Sequence, residues 1–183
     1  MARSPTTLDR LPLMDKESGD FTIVVETPRG SRNKYKYDPE VGAMRLGSTL
    51  AEGLAFPYDF GFFPSTRGED GDPLDVLVFL DTAVPTGCVV TARLIGVLEV
   101  EQKEKRTPWK RNDRFFAVAT QAHDHQQLQH LDDLPPHLVP EIEAFLIHYT
   151  GLSGKELRVL RRGDAKRARK LLKAGGKAFK ADR

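Results

Sequence analysis

Glu69, Asp70, Asp72 and Asp75 place four carboxylates within seven residues, and the apolar run Val76-Leu77-Val78-Phe79-Leu80 follows at once. Carboxylates this crowded repel one another unless positive charge sits among them. A hard divalent cation is the usual solution, because it takes oxygen ligands, and Mg2+ completes its shell with water and phosphate oxygens. Gly71 and Pro73 give the segment turn chemistry. A turn can aim Asp70, Asp72 and Asp75 into one cleft, where a regular strand would alternate their directions. An EF-hand loop does not fit. Counted from Asp70, position 5 is Leu74, position 6 is Asp75 where glycine is needed, and position 12 is Asp81 where a bidentate Glu is expected. The competing reading is a solvated Asp-Gly turn that binds nothing.

The rest of the chain must build a scaffold that holds this turn. Its 183 residues, 39% hydrophobic and 30% charged, suit one globular domain with a sizeable core. A net charge of +2 argues against a dedicated nucleic-acid binder. The charge is uneven, with Arg158, Arg161, Arg162 and Lys166 through Lys180 crowding the C-terminal end. Cys88 is the only cysteine, so neither an intrachain disulfide nor a thiolate zinc site is expected. No apolar run approaches membrane-spanning length, and the N-terminus lacks the apolar core of a secretory signal. The expected compartment is the cytoplasm, with no membrane partner.

Residues 1–20 read as a flexible lead-in, 21–175 as the single domain, and 176–183 as a basic tail. Phe21 to Glu26 is rich in β-branched residues and reads as a strand. Asn33 to Tyr37 alternates lysines with tyrosines, so the two types fall on opposite faces. Leu54 to Phe63 concentrates aromatic residues around Pro57 and Gly61. Leu74 to Leu80, Val89 to Val100 and Arg114 to Ala119 are the strongest strands, and Glu101 to Asp113 between the last two reads as an exposed hairpin loop. Leu138, Glu141, Ile142, Phe145, Leu146 and Tyr149 recur at helical spacing, and Ala165 to Leu172 suggests a second, basic helix. Short strands followed by helices predict an α+β domain around a small barrel.

These residues resemble the soluble, type I inorganic pyrophosphatases. Asp70-Gly71-Asp72-Pro73-Leu74-Asp75 matches that family's D-x-D-P-x-D signature without a gap. Ile23 to Pro28 resembles the family's first strand and its acidic end, and Asn33-Lys34-Tyr35 the strand that follows. Pro57 to Phe62, Leu94 to Leu98, Arg114 to Val118 and the Phe145-His148-Tyr149 positions are also similar, so the likeness runs from Phe21 to Leu172. It implies a five-stranded OB-like β-barrel with helices packed outside, two of them toward the C-terminus. It implies hydrolysis of pyrophosphate to two phosphates with several Mg2+ ions, and possible homo-oligomers. By the same resemblance, Asp70 and Asp75 hold metals around the attacking water, Asp72 is the general base, and Glu26 supports a further metal. Lys34, Arg114 and Tyr149 contact phosphate oxygens. On their own, Glu26 could end a strand in solvent, Lys34 could cover a sheet face, Tyr149 could be helix core and Arg114 a surface residue.

The chain departs from the family pattern in one direction. Lys36 stands where the family usually has Glu, Ser48 where it has Arg, and Phe56 and Phe60 where it has Tyr. Gln102-Lys103 replaces Asp-Glu, Asn112-Asp113-Arg114 replaces Asp-x-Lys, and Thr150 replaces Lys. Glu101 and Asp113, each one position away, are the candidate substitutes for the lost metal ligands. The expectation is a thinned metal cluster. Two alternatives stay open: hydrolysis of another phosphoanhydride, such as a nucleotide or polyphosphate, or a weakly active module that binds phosphate or nucleic acid.

Overall fold

The computed structural model describes residues 7–181. In chain order the strands are β1 (Phe21–Thr27), β2 (Asn33–Asp38), β3 (Ala43–Thr49), β4 (Asp59–Phe63), β5 (Leu74–Phe79), β6 (Val89–Glu104), β7 (Lys110–Arg111) and β8 (Arg114–Ala119). Helix α1 (Leu138–Leu152), strand β9 (Lys155–Asp164) and helix α2 (Ala165–Ala181) complete the chain. Strands β1, β4, β5, β8 and β6 lie side by side in that order, and β6 pairs back to β1. Five strands thus close into the expected OB-like barrel, and closure leaves the ring no open edge. All neighbours in the ring are antiparallel except β5 and β8.

Alternation along the strands fills the barrel. Ile23, Phe63, Leu77, Phe79, Ile95, Leu98, Phe115 and Phe116 are all fully buried. Phe63 meets Phe21 and Phe115 edge-on, with ring centroids 6.2 and 5.5 Å away. Burial of each such ring stabilises the fold by roughly 1.5–3 kcal/mol. Gly61 permits the β1–β4 contact, since a Cβ there would stand 2.1 Å from the Val24 carbonyl oxygen. Helix α1 packs on β9, and α2 packs on β6 and β9. Among the described residues no helix is long and apolar enough to cross a membrane.

Two stretches differ from the sequence reading. The expected hairpin loop from Glu101 to Asp113 shrinks to residues 105–109, because β6 continues to Glu104 and β7 follows. Lys155–Asp164, read only as part of the basic C-terminal end, is the strand β9 that pairs with this outer half of β6. Charge, not apolar alternation, defines that pairing. Lys155–Glu104 (2.7 Å), Lys103–Glu156 (3.2 Å) and Arg158–Glu101 (2.6 Å) face each other across the strands. Such pairs contribute about 0.2–1 kcal/mol each, and a search for hydrophobic alternation passes over them.

The segment ahead of β1 lies against the barrel. Leu8 and Leu11 pack on Val24, Tyr37 and Phe62, and Leu13 packs on the main core. The Ser65 amide donates to the Asp9 carbonyl at 2.8 Å. Position 175, where the domain was expected to end, falls inside α2, with Gly175 and Gly176 buried. Residues 1–6 and 182–183, the ends of the expected lead-in and tail, lie outside the described residues.

Candidate active site

The acidic turn is shaped by its own hydrogen bonds. The Asp72 amide donates to Asp70 Oδ1 at 3.2 Å, the Gly68 amide to the Asp72 carbonyl at 2.8 Å, and Gly71 sits at φ +92°, a conformation suited to glycine. The turn delivers the chain into β5, so Asp75 follows on a rigid strand. The β2–β3 hairpin, this turn, the outer part of β6 and the end of α1 surround one cleft of about 1420 Å3. Glu26, Lys34, Asp70, Asp72, Asp75, Arg114 and Tyr149 all line it. Every catalytic, substrate-binding and principal metal position expected from the sequence is therefore brought to a single place.

Each side chain has a local cause. Lys34 and Lys36 are two residues apart on β2, so both face the cleft, while Tyr37 is buried against Phe62 and Val24. Lys34 Nζ lies 5.3 Å from the centre of the Tyr149 ring. That ring stacks on Phe145 and packs on Phe56, with centroids 5.8 and 5.6 Å away. Lys36 Nζ donates to Asp72 Oδ2 at 2.6 Å. Asp75 and Arg114 are register partners on the parallel pair β5–β8, and their side chains meet at 2.6 Å. Arg114 also donates to the carbonyl and side-chain oxygens of Asn112. Its Nε is buried with no hydrogen-bond partner, an unmet donor in the cleft wall.

The electrostatics follow from burial. Glu26 is buried at the end of β1 and accepts the Tyr37 amide at 2.7 Å. Burial pushes its carboxyl up to about 7, against that hydrogen bond, with Asp75 adding repulsion. Burial likewise raises Asp70, and the Asp75 carboxylate adds to it. Burial alone would lower Lys36, but the hydrogen bond from Asp72 and its charge raise it overall. The donor set suits a hard divalent cation. Four carboxylates line the cleft, and neither histidine nor cysteine does.

Glu101 and Asp113, the candidate substitute ligands, are not brought to the cleft. Strand alternation turns Glu101 toward Arg158, whose Nη2 holds it at 2.6 Å. Asp113 accepts the Val100 amide at 3.0 Å and Arg111 Nη2 at 2.8 Å. The cleft instead receives the neutral Gln102 and Asn112 and the cationic Lys103. Phe60 and Thr150 line it too, without the phenol or ammonium of the family pattern. The pairing of Lys36 with Asp72 was not anticipated, although its spacing of two from Lys34 is a signal for a shared face.

Comparison with known proteins agrees with this geometry. A family model described as inorganic pyrophosphatase matches residues 23–180. The inorganic pyrophosphatase of Nostoc sp. is 34% identical over 173 residues, covering 94% of this chain and 99% of that one. That of Leifsonia xyli is 37% identical over 156 residues, covering 85% and 93%. The crystal structure of the inorganic pyrophosphatase from Thermus thermophilus superposes with a TM-score of 0.86 at 34% identity, covering 95% of this chain and 99% of that one.

Proposed function

The chain belongs to the inorganic pyrophosphatase family, and from that premise we propose that it hydrolyses inorganic pyrophosphate to two phosphates with the help of Mg2+. The observation that carries the reading is the convergence of Asp70, Asp72 and Asp75 with Lys34 and Arg114 in one cleft. Asp70, Asp75 and Glu26 would hold the metal. When bound, it neutralises phosphate charge and lowers the pKa of an attached water toward about 7.

The chain's own groups supply the rest. Lys34 and Arg114 draw the anionic substrate in and orient it, and a guanidinium can grip phosphate oxygens with two donors. Asp72 accepts the proton of the attacking water as its oxygen bonds to phosphorus. The bridging P–O bond breaks, and the leaving phosphate is met by the donors of Arg114, Lys34 and the Tyr149 hydroxyl. The aromatic wall of Phe56, Phe60 and Phe145 keeps Tyr149 in place. The same reading places the protein in the cytoplasm, and self-association is for sedimentation to measure.

Phosphate release from pyrophosphate, with and without Mg2+, tests the proposal. Asp72→Asn is expected to lower turnover about a hundredfold or more. Its melting temperature should shift by no more than about 4 °C, since Asp72 is half exposed. Near wild-type release by the variant would refute the role of Asp72.

A further inference from the structure

Lys36 occupies a position that a metal ion would otherwise serve, and this argument rests on the pyrophosphatase reading above. One ammonium faces carboxylates from three different elements. It bonds Asp72 of the acidic turn at 2.6 Å, and Glu26 of β1 and Asp75 of β5 act on the same charge. Lys36 is held to this task by the backbone. It is the register partner of Arg45 on β3, and Arg45 is itself held away by Asp38 at 2.8 Å. The hairpin therefore contributes two lysines to the cleft at fixed spacing, one over Tyr149 and one on Asp72.

The other carboxylates are also engaged. Arg114 holds Asp75, the Tyr37 amide holds Glu26, and the Asp72 amide holds Asp70. A divalent cation entering here must displace or tolerate covalently tethered positive charge. An ammonium supplies one unit of charge and three donors without the octahedral shell Mg2+ demands. Its charge also opposes a second cation close by.

We infer that Lys36 takes the place of one divalent cation in this cleft, so that the chain binds fewer metal ions than its carboxylates would otherwise gather. The alternative is an ordinary surface ion pair. Both side chains are about half exposed, and such pairs contribute little. The two ideas differ in what they say about metal binding.

Equilibrium dialysis of the full chain against Mn2+, with no pyrophosphate present, separates them. Removal of the competing charge in Lys36→Gln is expected to tighten Mn2+ binding about tenfold. Lys36→Glu is expected to bind about one further ion per chain, as a carboxylate there completes another oxygen site. Thermal melts check that both variants fold. If Lys36→Glu does not, Lys36→Gln decides alone. Number and affinity of bound Mn2+ unchanged from wild type would overturn the inference. A wild-type chain that releases no phosphate would overturn the functional reading instead, and the dialysis would still decide this one.

Discussion

Asp75 and Arg114 stand opposite each other on β5 and β8, the one parallel pair in the barrel, and their side chains close to 2.6 Å. The ring of strands thus fixes a carboxylate and a guanidinium at the floor of the cleft before any loop contributes. Arg114 is almost fully buried, and a guanidinium so placed needs anionic or carbonyl partners on most of its donors. Asp75, Asn112 and the Asp113 carbonyl provide them on the protein side. The acidic turn and the β2–β3 hairpin then bring Asp72 and Lys34 over this floor.

Arg114→Met removes the charge and leaves Asp75 without its partner. Turnover of pyrophosphate is expected to fall about a hundredfold, the scale on which a single oriented donor acts at developing charge. Stability should fall by about 1–3 kcal/mol as the buried acceptors lose their hydrogen bonds. Arg114→Lys keeps the charge but not the fork, and should retain activity within about tenfold of wild type. Steady-state kinetics and denaturant melts of both variants check this. Equal losses in the two would mean that planar geometry, not charge, is what the site requires.

Tyr149 separates packing from chemistry. Tyr149→Phe keeps the ring against Phe56, Phe145 and Lys34 and removes only the hydroxyl. Stability is expected to stay within about 0.5 kcal/mol, while turnover drops about tenfold through loss of one hydrogen bond to a charged phosphate. Lys34→Met, by contrast, should act mainly on KM, because it removes long-range attraction for the anion. A Tyr149→Phe enzyme with full activity would reassign Tyr149 to the aromatic wall alone.

The legible parts of this chain were those with a strong local pattern. The barrel strands carry β-branched and aromatic runs, and the acidic turn pairs an unusual carboxylate density with Gly71 and Pro73. Lys34 and Lys36 announced a shared face through their spacing. The outer ribbon was less legible, because β6 beyond Glu99 and the whole of β9 pair through Lys, Arg and Glu, which in isolation look like a solvated surface. The fate of Glu101 and Asp113 was hidden for the same reason. Arg158 and Arg111, which hold them, lie 57 residues beyond and two residues before. Only tertiary pairing shows that these carboxylates are already committed.

Glu99 gives that ribbon its own stability test. Its carboxylate is buried and holds three arginines: Arg167 at 2.8 Å, Arg111 at 2.7 Å and Arg161 at 2.7 Å. It ties α2, β7 and β9 to β6 through one side chain. Hydrogen bonding from Arg167, with Arg111 and Arg161, holds its carboxyl well below the usual carboxylate range, against the opposing effect of burial. A carboxyl depressed in the folded state stabilises the fold at pH values above its unfolded pKa, near 4.5, and loses that contribution as the pH falls toward the folded value. Glu99→Gln leaves the arginines without their shared anion. Because they remain partly exposed, the low end of the cost of breaking a buried pair applies, about 3 kcal/mol or roughly 6–12 °C in melting temperature at neutral pH. The gap between wild type and variant should hold constant from neutral pH down to about 5 and narrow below 4.5 as wild-type Glu99 takes up a proton. Calorimetric melts across that range measure it. A gap that stayed the same down to low pH would mean that the carboxylate's charge contributes nothing and that Glu99 serves the ribbon only by its shape.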